Sequence, residues 1–457
     1  MIRYRARYVI PVVRPPIVDG VVAVDGDRIA YVGPVAGAPA ARSVDLGDVA
    51  LLPGLVNAHT HLELTAMRGF LEELDFRSWI LRLTTAKRAV LSRDMLLDAA
   101  RYGIAEGLRH GITTFADTCD SGVAFDAMRE RGVRGVMYQE VFGPDPAQCA
   151  ASLTELREKI DRLRPLETSL VRVGVSPHAP YTVSDDLFAA VARYAREAGL
   201  PVAIHIAESE LEQDLVVRGE GLFAEGLRGR DIPVARRART PIELLASLDV
   251  LSAGTLLIHC VRVDDADISR IAQSRCSVAH CPSSNAKLGH GIAPLTDFVA
   301  AGIAVGLGSD SVASNNRMDI LEEARVAALF QRARRHSFSE VTASAALHLA
   351  TLGGARAIGV DGEAGSLEVG KSADLAAFPL DSHGPVHDPL AALIFGLPGT
   401  KANFVAVAGR ELVRDGALMG EDPGLEYRLQ ASADALQRWL RTAPANPSPT
   451  GMGGRTR

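Results

Sequence analysis

Residues 55–61 read LVNAHTH, an apolar, strand-like run closed by two histidines two positions apart. Alternate side chains of a strand share a face, so His59 and His61 point the same way, and at the end of an interior strand that way is inward. A buried imidazole without a partner forfeits hydrogen bonds, a loss that metal ligation repays. The H-x-H pair is a weak sign by itself. It gains force from His205 in VAIHIAES and Asp310 in VGLGSDS, each again at the end of a strand-like run. Ligands dispersed over about 250 positions, from 59 to 310, imply a closed parallel barrel with a cation at its mouth, not a compact zinc clip.

Outward from LVNAH, seven more strand-like runs follow: TTFADT, GVRGVMYQEV, VRVGVSP, VAIHIAE, TLLIHC, CSVAHC and AVGLGSD. Amphipathic stretches of helical length separate them, among them DMLLDAARYGIAEGLRHG, SDDLFAAVARYAREAG and MDILEEARVAALFQRARR. Gly111 and Gly199 stand just past the apolar periodicity, where a left-handed cap is expected. Eight βα units close a barrel. The fold class is therefore α/β, a (β/α)8 TIM barrel over residues 56–360 with a small β-sandwich formed by both chain ends, 1–55 and 361–424. The first part, with YVIPVV and VVAVDGDRIAYVG, reads as short antiparallel strands. Residues 425–457 read as a terminal helix and a disordered tail, PANPSPTGMGGRTR. One irregular, arginine-rich insertion spans 211–241 and reads as a solvated excursion or a lid.

The 457-residue chain has 49 basic and 55 acidic residues, a net charge of -6, and 47% apolar residues. This balance gives no electrostatic reason to expect nucleic acid or a membrane surface as partner, and no run approaches the roughly 20 apolar residues of a membrane span. The five cysteines, Cys119, Cys149, Cys260, Cys276 and Cys281, are odd in number and lack C-x-x-C spacing, so they read as reduced packing residues. The expectation is a cytoplasmic enzyme acting on a small molecule, with homo-oligomerisation left open.

Three neutral imidazoles and a carboxylate suit one divalent metal ion, Zn2+ first, with Fe2+, Ni2+ and Mn2+ also acceptable. The end of the fourth strand, SPHAPYT, has no lysine to form a bridging carbamate, so a single ion is expected. Such an ion lowers the pKa of bound water to roughly 7. Glu208, three residues after His205, is placed to shuttle protons. His259 ends the sixth strand, where an imidazole can hydrogen-bond the attacking oxygen or sit as a further outer ligand. Asp310 is expected to combine ligation with proton relay. His178, Trp79, Ser284 and Asn285 are the expected substrate contacts, together with Glu208. His110, His336, His348, His383 and His387 read as surface or structural residues.

Taken together, PGLVNAHTHLELT, SPHAPYT, HIAES, HCPSSNAKLGHGIAPL, GLGSDSVASNN and GSLEVGKSADLAAF resemble the amidohydrolase superfamily in its cytosine-deaminase-like branch. The look is that of methylthioadenosine and S-adenosylhomocysteine deaminases, with aminodeoxyfutalosine deaminase and triazine chlorohydrolases alongside. The resemblance covers about residues 1 to 420. It implies that His59, His61, His205 and Asp310 hold the metal, that Glu208 is the acid/base, that His259 steers the water and that His178 touches substrate. The implied activity is hydrolytic release of ammonia from a 6-aminopurine nucleoside. The alternatives are hydrolysis of another N-heterocycle (guanine, cytosine, an s-triazine or a cyclic amide) and a non-catalytic ligand-binding barrel. Glu63, Trp79 and the long insertion depart from the methylthioadenosine pattern toward the aminodeoxyfutalosine group, which implies that Arg236 and Arg237 meet a substrate carboxylate.

Overall fold

The computed structural model describes residues 1–380 and 384–442. His383 and the tail expected to be disordered lie outside the described residues. Eight strands build the barrel: β1 (Leu55–Thr60), β2 (Ile112–Cys119), β3 (Arg134–Val141), β4 (Val171–Pro177), β5 (Val202–Ile206), β6 (Thr255–His259), β7 (Ser277–His280) and β8 (Val305–Leu307). They hydrogen-bond in sequence order, each parallel to the next. A parallel bridge between Thr60 and Asp310 closes the ring, and the Asp310 N–H donates to the His59 carbonyl at 3.0 Å. Closure of the barrel thus brings Asp310 beside His59. Every residue of β1, β2 and β3 is buried, as parallel strands covered on both faces require.

The helices begin and end where local chemistry dictates. Ser92, Ser184 and Asp319 cap the helices Arg93–Arg109, Asp185–Ala198 and Ile320–Arg335 by accepting backbone N–H groups. Gly199 ends the second of these in the left-handed region. Gly111, at φ 77°, also sits where a Cβ would lie 2.5 Å from the Phe378 ring, so it permits the barrel to press against the neighbouring sheet. The arginine-rich insertion is less irregular than its sequence suggests. It contains the helices Glu210–Arg218 and Gly221–Arg228, followed by a segment without regular structure up to the helix Pro241–Ser247. No helix among the described residues is long and apolar enough to cross a membrane.

The chain ends meet in one nine-stranded mixed sheet. Ile2–Val9 runs antiparallel to Ile17–Asp25, as expected, but parallel to Arg42–Asp45 and Val49–Pro53. Parallel neighbours need a crossover, and the hairpin of Ile17–Asp25 with Arg28–Pro34 supplies it, which strand-by-strand reading of the sequence does not reveal. Leu375–Pro379 joins the other edge of Val49–Pro53, stitching the two ends of the chain together. Alternation then gives each face a job: Val49 and Leu51 enter the core of this sheet, whereas Ala50 and Leu52 enter that of the barrel. At the same junction Arg134, the first residue of β3, donates to Asp374 at 2.6 Å and to Ser372 at 2.7 Å.

Candidate active site

The C-terminal ends of the barrel strands bring the dispersed residues together. His59 ends on β1, His61 opens the 3-10 turn Leu62–Met67, His205 lies on β5, and Asp310 follows β8. Ligand atoms of His59, His61 and His205 lie within 4.8 Å of one another, as do those of His59, His259 and Asp310. The Nε2 atoms of His205 and His61 are 3.3 Å apart, and Asp310 Oδ1 lies 3.3 Å from His59 Nε2 and 3.6 Å from His61 Nε2. Gly308 makes this approach possible, because a Cβ there would lie 2.9 Å from both the Cβ and the carbonyl oxygen of His59. The backbone turns sharply at these strand ends, with positive φ at Ala207, His259, Cys260 and Asp310. Strained backbone of this kind concentrates where side chains are aimed for function.

Burial sets the charge states. It pushes His61 down to about 3 and lowers His59 and His205 as well, so all three are neutral imidazoles near pH 7. Burial alone would raise Asp310, but its contact with His59 and the fields of His59, His259 and His61 hold it well below the usual carboxylate range. Ser284 donates to Asp310 Oδ2 at 2.6 Å, Ser314 at 3.3 Å, and the Ser311 N–H to Oδ1 at 2.6 Å. Nε2 of His59 and Nδ1 of His205 are buried with no hydrogen-bond partner. Neutral nitrogens, an ionised carboxylate and an orphaned ligand atom at their centre fit a divalent cation such as zinc.

Beside this set, Glu208 Oε1 lies 3.4 Å from Nε2 of both His259 and His290. Burial would raise its pKa, yet the neighbouring His259 and His290 imidazoles lower it. The Ala207 and Glu208 backbone N–H groups donate to Glu212, which fixes the turn that aims Glu208. His259 Nδ1 meets Asn285 Oδ1 at 2.9 Å, leaving Nε2 toward Glu208. Ser284 and Asn285, expected on the substrate wall, are therefore turned onto Asp310 and His259. His290 has no counterpart in the sequence expectations. Its only sign was its place in the LGHGIAP loop, and proximity to a residue 82 positions earlier in the chain is not visible as spacing.

His178 follows β4, is lowered by burial to about 4, and pairs through Nδ1 with Thr182 Oγ1 at 2.7 Å. Its ring contacts Phe142, Tyr181 and His205. Tyr181 stacks on Phe223, and Phe76 packs edge-on against both and against His290. Trp79 stacks behind Phe76, one turn along the helix Phe76–Val90. A small cleft of about 30 Å³ opens outside this aromatic wall, bordered by Arg77, Leu81, Tyr181, Phe223 and Arg230. Arg237 does not face it. Its guanidinium is held by Asp185 and by the carbonyls of Pro180 and Val183, while Arg236 is exposed. Glu63 is likewise committed, to Lys87, Ser121 and Cys119.

Residues 50–412 match the model of the amidohydrolase family. The chain belongs to this family, and it is a hydrolase acting on carbon–nitrogen bonds. Among curated relatives, a 5-methylthioadenosine/S-adenosylhomocysteine deaminase of Moorella thermoacetica is 33% identical over 89% of this chain and 93% of its own. The Halobacterium salinarum protein of the same name is 32% identical over 87% and 89%. Of solved structures, an adenosine deaminase from Xanthomonas campestris with bound zinc superposes with a TM-score of 0.85 at 30% identity, covering 97% of this chain and 99% of that one. A zinc complex of atrazine chlorohydrolase from Arthrobacter aurescens TC1 gives 0.82 at 25% identity, over 95% and 100%.

Proposed function

We propose that the protein is a metal-dependent hydrolytic deaminase that releases ammonia from a 6-aminopurine nucleoside, of the methylthioadenosine, S-adenosylhomocysteine or aminodeoxyfutalosine type. The observation that carries this reading is Glu208, a buried carboxylate 3.4 Å from two imidazoles beside the His59, His61, His205 and Asp310 set. Those four residues would hold a divalent cation, which would supply Lewis acidity and lower the pKa of a water to roughly 7. Glu208 takes the proton of the attacking water and returns it to a ring nitrogen, which makes the amine-bearing carbon electrophilic. His259, its tautomer fixed by Asn285, orients the attacking oxygen through Nε2. As the C–O bond forms and the C–N bond breaks, Asp310, steadied by Ser284, helps pass a proton to the departing amine. His178 offers Nε2 to the purine, since Nδ1 is held by Thr182, and the wall of Phe76, Tyr181 and Phe223, backed by Trp79, suits a flat ring.

A second reading, hydrolysis of a halogenated triazine, draws on the likeness to the atrazine chlorohydrolase structure. One assay separates the two. The zinc-loaded enzyme is given adenosine, methylthioadenosine, S-adenosylhomocysteine, aminodeoxyfutalosine, guanine and atrazine, and ammonia and chloride are measured. The expected result is ammonia from at least one 6-aminopurine nucleoside. Chloride from atrazine without ammonia from any nucleoside would overturn the reading, as would inertness toward all six with zinc bound.

A further inference from the structure

One buried acid at the barrel mouth has no task in the mechanism above. Glu140, the penultimate residue of β3, is 6% exposed, and its Oε1 has no hydrogen-bond partner. A carboxyl ligand atom of Glu140 lies within 4.8 Å of imidazole nitrogens of both His178 and His205. A buried carboxyl left unpaired costs roughly 1–3 kcal/mol or more, so a site that keeps one has a use for it. Several neighbouring polar groups are already committed, although Ser176, the register partner of Glu140 on β4, keeps a buried Oγ with no partner. Lys87 is bound by Glu63 and Asp120, and the Gln139 amide donates to the carbonyls of Cys119, Asp120 and Glu140. Nδ1 of His178 is taken by Thr182. One buried orphan remains on the imidazole side, Nδ1 of His205, whose other nitrogen faces His61.

We infer that Glu140 is a positioning residue for the metal site, its carboxyl accepting the Nδ1–H of His205 and thereby fixing the tautomer and ring orientation in which Nε2 is the ligand. The two orphans answer each other: an imidazole that ligates through Nε2 carries its proton on Nδ1 and needs an acceptor, and a carboxyl oxygen without a donor lies within 4.8 Å of a nitrogen of the same ring. Acceptors of this kind make the bound imidazole more basic, and their loss typically weakens metal binding by about 10–100-fold. This inference rests on the metal site proposed above.

The test is the zinc dissociation constant, measured by competition with a chromogenic chelator, for wild type, Glu140→Gln and Glu140→Ala. KM, kcat at saturating zinc and the melting temperature of the zinc-free proteins are followed in parallel. Zinc affinity is expected to fall about 10–100-fold in Glu140→Ala and less in Glu140→Gln, which keeps an acceptor oxygen. The zinc-free melting temperature should hold, and saturating zinc should restore most of kcat. Unchanged zinc affinity with a raised KM would make Glu140 a substrate contact and overturn the inference. Equal loss of zinc affinity and zinc-free stability would reduce it to a packing role and overturn it too. Failure of wild type itself to bind zinc would strike the metal site, not Glu140 alone.

Discussion

The Arg134–Asp374 junction beneath the barrel and the mouth of the barrel treat buried polar groups in opposite ways. At the N-terminal end of β3, Arg134 and Asp374 are only 4% and 1% exposed, and their polar atoms are matched. Arg134 donates to Asp374 and Ser372, Ser372 donates to Asp374 at 2.8 Å, and the Ala408 N–H adds a further bond to the same carboxylate at 2.8 Å. At the C-terminal end His59 Nε2, His205 Nδ1, Glu140 Oε1 and His290 Nε2 are buried with no hydrogen-bond partner. The first end is a lock between barrel and terminal sheet. The second holds polar groups in readiness for a cation and a substrate, and the stability it gives up is supplied elsewhere in the fold.

The sharpest way to break this contrast is to remove Glu208. Glu208→Gln should lower kcat by about 10²–10⁴-fold while zinc content, read by elemental analysis, stays near wild type. Comparable activity in the variant would mean that the proton shuttle lies elsewhere. At the other end Arg134→Met should leave Asp374 buried and uncompensated, lowering stability by about 3–5 kcal/mol in urea titration. There kcat/KM of the folded protein should be unchanged. A loss of activity without a loss of stability would erase the division of labour between the two ends.

Smaller effects should come from residues that hold others in place. Ser284→Ala and Asn285→Ala remove partners of Asp310 and His259, and each should reduce zinc affinity or kcat by about 10-fold or somewhat more. A rise in KM alone would return them to the substrate wall. A further expected change concerns pH. Burial raises Glu323 to about 8 from its ordinary 4.5, against the hydrogen bonds of Ser283 and Asn315. A raised carboxyl binds its proton more tightly folded than unfolded, so its contribution favours the fold at low pH and is lost as pH rises from about 4.5 through 8. Relative to wild type, Glu323→Gln should therefore gain stability steadily between pH 5 and pH 8. A difference that is flat with pH would contradict the assignment.

What the sequence disclosed follows the range of the interactions involved. Strand ends, apolar periodicity and ligand residue types are local, so the eight barrel strands and the residues His59, His61, His205, Asp310 and Glu208 were visible in it. Pairings across the ring were not. Ser284 meets Asp310, Arg134 meets Asp374 and His290 meets Glu208 only because the barrel closes, and no spacing encodes this. Glu140 sits in MYQEV, where it reads as one more residue of a buried strand. The parallel pairing of Ile2–Val9 with Arg42–Asp45 was hidden for a related reason, because the hairpin between them reads as a partner and acts as a crossover.

Four residues drawn from the ends of three strands forming one metal centre is the claim on which the rest depends. Anomalous diffraction at the zinc edge from crystals of the zinc-loaded protein tests it most directly. A single strong peak is expected about 2.0–2.2 Å from nitrogens of His59, His61 and His205 and from a carboxylate oxygen of Asp310. A peak elsewhere, or one that leaves Asp310 or His205 outside coordination distance, would contradict it.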